Sequence, residues 1–250
     1  MAHPRARTIT FSIYSVVRGL LKRIGFEFQV MPIPKKEKMV GNEFRSTIIN
    51  DPVNWLRIPM YERIFSCLRN HLEREDIEGK TAIELGGTEG TIARMLESLG
   101  CQVKVAQDYP AIDVEALPYP PDSIDIVVLD QVLEHVRHPW KAIDEINRVL
   151  RRGGVAICTS VFIYPIHHGA NYGDYYRFSP DGFRALFEHF RILSAEGWGN
   201  AQTLRIAYNH SERGPEGPFP LAKIDAERMG LYDYTDEMNY LMTWCVAQKE

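Results

Sequence analysis

The chain has 250 residues, 45% of them hydrophobic and 25% charged, with a formal net charge of −4 and a pI near 6.1. That length suits one large domain or two small ones, and the composition is that of a soluble globular protein. The acidic balance argues against nucleic acid as an electrostatic partner, and four widely spaced cysteines with no C-x-x-C read as reduced thiols of a cytoplasmic protein rather than zinc ligands or disulfides.

Charge is unevenly distributed. Residues 1–40 hold eight Lys/Arg and two Asp/Glu, a net of +6 that leaves −10 for the remainder. Within this arm Ile13, Val16, Val17, Leu20, Leu21 and Ile24 repeat at helical spacing, while Arg18, Lys22 and Arg23 lie off that face. Two readings stay open for this basic helix: contact with an anionic membrane surface, or packing on its own domain or on a second copy in a homodimer. No apolar run approaches the roughly 20 residues that span a bilayer. The stretch TITFSIYSVV has no small-residue cleavage site after it and reads as mature protein.

MPIPKKEK, at 31–38, is a Pro- and Lys-rich linker. The spacing of Met60, Ile64, Phe65, Leu68 and Leu72 predicts a helix over 60–72. Residues 1–75 are accordingly grouped as a basic helical extension before a domain at 76–250. From Lys80 strand and helix alternate, the mark of a parallel sheet. Strands are predicted at 81–85, 103–107, 124–129 and 154–159, with helices at 90–99 and 139–151, the latter closing on RRGG. SPDGFRALFEHF predicts a further helix capped by Ser179, with Pro180 in its first position and Phe183, Leu186, Phe187 and Phe190 facing inward. RILSAEGW and YLMTWCVAQ complete the sheet.

Between the first of these strands and its helix stands TAIELGGTEGTIARML. A strand, a glycine turn and a helix make a crevice at the carboxyl end of a parallel sheet. Glycine removes the side chains that would hold a ligand off the backbone, and the helix start offers free N–H groups. The spacing is not G-x-G-x-x-G, which disfavours a nicotinamide oxidoreductase, and not the phosphate loop G-x-x-x-x-G-K-[ST]. It resembles motif I of the class I S-adenosylmethionine-dependent methyltransferases, commonly acid-x-G-x-G-x-G. Glu84, Gly86 and Gly90 match that pattern, while Thr88 replaces the middle glycine and Gly87 stands one place before it.

The next sixty residues extend the resemblance. QVKVAQD ends in Asp108, where a carboxylate can accept both ribose hydroxyls. DVEALPYPPDSIDIVVLDQVLEHVRHPWKAIDEINRVLRRGG is similar to the methyltransferase group with D-A-x-x-L-P-F, L-E-H and R-V-L-x-P-G-G. The resemblance implies a cofactor, S-adenosyl-L-methionine. It places Asp113 at the adenine amino group and Asp130 and Gln131 at the cofactor's methionine end. It also implies a Rossmann-like α/β fold with a mostly parallel seven-stranded sheet. Only four residues separate Asp108 from Asp113, where the family fits a helix and most of a strand, so the adenine side of this sheet is expected to be shortened.

VFIYPIHHGANYGDYYRFSPDG is aromatic beyond the needs of a connector. Phe162, Tyr164, Tyr172, Tyr175, Tyr176 and Phe178 fall within 17 residues. It resembles a signature of methyltransferases associated with glycan synthesis, which implies a saccharide or other small-molecule acceptor against Tyr172, Tyr175 and Arg177. Aromatic faces suit sugar C–H surfaces and a nearby sulfonium. A hydroxyl acceptor needs its proton removed, and neutral histidine is the natural base. His135 and His168 are the candidates, with His167 third. No tight acidic cluster compels a metal and none is assigned, although Asp130 and Asp174 could serve one. Small-molecule N-methylation, or a cofactor-binding interaction module without catalysis, remain alternatives.

Overall fold

The computed structural model describes residues 56–86, 90–106, 112–212, 230 and 234–250. The predicted N-terminal helix, Gly87, Thr88 and Asp108 lie outside the described residues.

The first described helix, α1, spans Ile58–His71, with Pro59 in its first turn, where a missing N–H costs nothing. Its apolar positions bury Met60, Ile64 and Leu68 completely. Strand β1 (Thr81–Gly86) then leads into helix α2 (Thr91–Ser98) and strand β2 (Gln102–Ala106). Strand β3 (Ile124–Asp130) is followed by a 3-10 turn at Leu133–His135 and by helix α3 (Pro139–Val149). Strand β4 (Leu150–Val161) begins directly where α3 ends, so RRGG belongs to a strand rather than to a helix terminus. Leu150 there pairs with Ile124, and the register shifts before Val155 meets Ile126. Local residue types favoured a helix stop; pairing with β3 decides the strand.

Helix α4 (Pro180–Leu186) starts as the sequence predicts, with Ser179 accepting a hydrogen bond from the Gly182 N–H, and it stops short of the predicted end. Strand β5 (Phe190–Trp198) precedes helix α5 (Ala201–Glu212), which the sequence reading did not identify. Asn200 supplies its start, its Oδ1 accepting from the N–H groups of Gln202 and Thr203. Strand β6 (Met242–Lys249) closes the sheet.

The six strands lie in the order β2-β1-β3-β4-β6-β5. Pairs β1–β2, β1–β3 and β3–β4 are parallel, whereas β6 runs antiparallel between β4 and β5. Seven strands were expected; among the described residues the sheet has six and ends at β2. The four-residue interval before Asp113 has no room for another edge strand with its crossover helix.

Alternation along each strand divides the core between two faces. Ile126 and Val128 of β3 point to the side covered by α1 and α2; Val127 and Leu129 point to the side covered by α3 and α4. Helices on both faces bury the sheet, which accounts for the nearly unbroken apolar run IVVL in β3.

Candidate functional site

Strands β1, β3 and β4 end side by side, Gly86 pairing with Asp130 and Asp130 with Thr159. Parallel strands put these carboxyl ends on one edge, the place where open α/β sheets bind ligands.

Glu84 is fully buried, and its Oε2 accepts a 2.5 Å hydrogen bond from the Ala93 N–H in the first turn of α2. The strand-end carboxylate therefore caps the helix that follows the glycine turn. Its second oxygen, Oε1, is buried with no hydrogen-bond partner among the described residues. Burial first, and Asp130 second, push the Glu84 carboxyl up to about 8. A carboxyl raised in the folded state gives stability that is whole below its ordinary value of 4.5 and is lost as pH rises through about 8. Glu84→Gln keeps an acceptor for Ala93 and cannot ionise. Its melting temperature in the absence of ligand is expected to exceed the wild type's at pH 8.5, the difference shrinking toward pH 5. A difference that does not change with pH would contradict the assignment.

Asp130 is buried between two hydroxyl donors, Tyr61 of α1 at 2.9 Å to Oδ2 and Thr159 at 2.5 Å to Oδ1. Burial and Asp130 together drive the Tyr61 phenol well above its ordinary value, so it remains a donor. Beyond Asp130 the chain turns sharply. Gln131 has a φ of 58°, a left-handed conformation that costs a side-chain-bearing residue about 1–2 kcal/mol. Its backbone N–H and its amide both donate to Thr159 Oγ1, and its Oε1 is buried without a partner among the described residues. Two orphaned acceptors, on Glu84 and Gln131, thus stand at neighbouring strand ends.

The glycines differ in what they provide. Gly86 has a φ of 74°, and a Cβ there would lie 2.1 Å from Val132 Cγ2 and 3.2 Å from the Asp130 carbonyl. At Gly90 the φ of 57° is also left-handed, but a Cβ would meet only ordinary contacts, at 3.4 Å and beyond. Asp113 sits in an exposed turn and accepts a hydrogen bond from the Glu115 N–H, with one carboxylate oxygen taken locally. The segment after it is tied down by Arg148, which donates to the carbonyls of Leu117 and Tyr119 while paired with Glu145.

The aromatic loop between β4 and α4 folds back over the 3-10 turn. Tyr175 and Tyr176 both donate backbone hydrogen bonds to the Glu134 carbonyl, and His135 Nδ1 lies 2.6 Å from the Gly173 carbonyl. That contact requires the proton on Nδ1 and leaves the lone pair on Nε2. His135 meets His167 and Tyr172 edge-on, at ring separations of 4.8 and 4.6 Å. His167 Nδ1 lies 3.2 Å from both the Pro165 carbonyl and Asp174 Oδ2, which fixes the same tautomer. Burial, then the neighbouring His135, lower the His167 pKa against the opposing pull of Asp174. Glu134, between β3 and this loop, is fully buried; burial pushes its carboxyl up to about 7, and its Oε2 has no partner among the described residues.

The loop separates the residues that the sequence grouped together. His168 is exposed and stands outside this cluster; His167 takes the place beside His135. Arg177 is engaged within the loop itself. Its guanidinium grips both oxygens of Asp174 and donates to the carbonyls of Tyr164, Pro165 and Tyr176, so it holds the loop's shape. Asp174 is engaged with Arg177 and His167, and Asp130 with Tyr61 and Thr159, so neither is a spare carboxylate for a metal. Tyr172 and Tyr175 are nearly half-exposed on the loop surface, whereas Phe178 joins Phe183 and Phe187 in the core.

Residues 91–158 match the family described as methyltransferase domain. Over 42 residues the chain is 48% identical to an uncharacterized methyltransferase of Mycolicibacterium vanbaalenii, covering 17% of this chain and 16% of that one. Over 101 residues it is 31% identical to an uncharacterized methyltransferase of Mycobacterium avium, covering 33% of this chain and 40% of the relative. The matches thus span less than half the length of these two relatives. Among solved structures, a Galdieria sulphuraria protein provisionally named a sarcosine dimethylglycine methyltransferase superposes with a TM-score of 0.52. That likeness covers 85% of this chain and 92% of that one at 14% identity, and it shows the shared fold.

Proposed function

We infer, for a chain that carries a class I S-adenosylmethionine-dependent methyltransferase domain, that it methylates a hydroxyl on a saccharide or another small molecule. The observation that supports this reading is the convergence of three strand ends, bearing orphaned acceptors on Glu84 and Gln131, with a histidine- and tyrosine-lined loop. An α-ammonium group and ribose hydroxyls are donors of the kind these buried oxygens lack. Glu84, Gly86, Asp130 and Gln131 therefore fit the cofactor's methionine end, and the sequence resemblance alone assigns Gly87, Gly90, Asp108 and Asp113 to the rest of it. Bound there, S-adenosylmethionine supplies an activated methyl group on a sulfonium.

The chain's own contribution is alignment and handling of the acceptor proton. Tyr61 and Thr159 fix the Asp130 carboxylate. The Gly173 carbonyl fixes the His135 ring, whose Nε2 lone pair is what a hydroxyl acceptor needs. Tyr172, edge-on to that ring, offers an aromatic wall, and Tyr175 continues it.

The test has two parts. Calorimetry is expected to detect binding of S-adenosylmethionine and S-adenosylhomocysteine and none of NAD. A mass-spectrometric screen with the deuteromethyl cofactor is expected to label hydroxyls in a saccharide pool. Label in amines instead would identify an N-methyltransferase. Cofactor binding with no label in either pool would leave an interaction module, and NAD binding would sink the reading.

A further inference from the structure

We propose that Glu134, His135 and His167 form a binding site for a divalent first-row transition metal ion, with zinc its simplest occupant. One carboxylate oxygen of Glu134 and one ring nitrogen of each histidine lie within 4.8 Å of one another. Ligand bonds near 2.1 Å put the donors of a tetrahedral ion about 3.4 Å apart, so binding draws the most widely separated pair together by roughly 1.4 Å.

Two further observations point to a ligand. First, both rings have Nδ1 held by outer partners, the Gly173 carbonyl for His135 and the Pro165 carbonyl with Asp174 for His167. Metal-bound histidines are oriented in this way, the second ring nitrogen donating to a carbonyl or carboxylate and leaving the other lone pair for the ion. Asp174 is itself gripped by Arg177, which adds a further layer of support. Second, the Glu134 side chain is completely buried and its Oε2 has no hydrogen-bond partner among the described residues. A carboxylate so placed is costly unless a cation or a donor meets it.

Two imidazoles and one carboxylate suit zinc, iron, cobalt or manganese and leave coordination positions open for an exchangeable ligand. The set does not suit calcium or magnesium, which take oxygen donors. The donors come from two segments, the turn after β3 and the β4–α4 loop, so an ion would also lock the loop onto the sheet. The role of the ion rests on the methyl-transfer reading: an acceptor hydroxyl oxygen occupying an open position loses its proton to solvent more readily. His135 is then the ion's ligand and not the proton's final acceptor. The existence of the site does not depend on that reading.

The test uses the full-length protein with the metal alone. Metal-stripped protein is titrated with Zn²⁺ against a chromophoric chelator, and the Co²⁺ form is examined by visible absorption. One equivalent of tightly held Zn²⁺ is expected, with Co²⁺ bands of a four- or five-coordinate site. His167→Asn is expected to weaken binding by about 100-fold or more, and His168→Asn to leave it unchanged. Where circular dichroism shows His167→Asn unfolded, His135→Asn takes its place. Failure of the wild type to hold one equivalent, or equal affinity in the ligand variants, overturns the site. S-adenosylhomocysteine binding is measured separately. Metal retained without that binding sinks the methyl-transfer reading alone, and the reverse result sinks the metal site alone.

Discussion

His135→Ala is expected to bind S-adenosylhomocysteine with wild-type affinity and to transfer methyl groups about 10²–10⁴-fold more slowly, the usual worth of assistance to the reacting proton, given by the ring itself or through an ion that it holds. The separation of the two effects follows from where the ring is held. It stands on the turn after β3, its Nδ1 committed to the Gly173 carbonyl and its edge against Tyr172, and it makes none of the contacts that secure Glu84 or Asp130. His168→Ala is the control: that side chain is exposed outside the cluster, and its loss should change turnover by no more than a few-fold. Single-turnover rates with saturating cofactor decide the matter, because they exclude product release. A His135→Ala enzyme within a few-fold of wild type would make the ring structural and favour an amine acceptor, which can lose its proton to water.

Gly86→Asn and Gly90→Asn should part company. Both glycines have positive φ, and asparagine tolerates the left-handed conformation better than most residues do. At Gly90 nothing else opposes a side chain, so Gly90→Asn is expected to melt within a few degrees of wild type. At Gly86 a Cβ would overlap Val132 Cγ2 at 2.1 Å and press on the Asp130 carbonyl. Relief requires Val132 to turn its γ-methyl away and the Asp130 carbonyl to give by a few tenths of an ångström, at the strand ends where Glu84 and Asp130 are set. Overpacking of this kind costs about 1–3 kcal/mol in stability. Cofactor affinity should fall by about 100-fold or more, because several charged hydrogen bonds, each worth about 1.5–3 kcal/mol, are misaligned together. Melting curves and calorimetry on both variants check this. Equal behaviour of the two would mean that Gly86 serves only to turn the chain.

The parts of this molecule that were legible in its sequence are those governed by local rules. Alternation and helical spacing located the six strands and the helices around α2, α3 and α4, and Ser179 with Pro180 marked a helix start. The helix α5 was missed although Asn200 caps it, because its apolar positions are sparse and no strong run follows the cap. The start of β4 was misread because Arg151 to Gly154 have the residue types of a helix stop, and only pairing across to Ile124 makes them a strand. The placement of Glu84, Asp130 and Gln131 at neighbouring strand ends was readable from the strand pattern. Tyr61 was not, since nothing near residue 61 announces a partner at residue 130. Which of His167 and His168 lies beside His135 was equally closed to sequence reasoning. The loop is irregular, so no period says which of two adjacent side chains turns inward, and the decision lies with Asp174 and Pro165. Arg177 was named for the acceptor from the resemblance of its loop; only the fold shows that a neighbouring carboxylate and three carbonyls employ its donors.

The hydrogen bond from Tyr61 to Asp130 closes a loop of 69 residues, and the one from Thr159 to Asp130 a loop of 29. Contacts this distant along the chain carry an entropic cost of loop closure that must be met before the contact can reward it. A partly folded form in which either loop is still open therefore lacks the floor of the site. A ligand that needs this floor binds the native state alone and shifts the folding equilibrium toward it, by about 2.7 kcal/mol when present at a hundred times its dissociation constant. The supply of such a ligand thus sets how much of the chain survives in the folded state as well as how fast it turns over.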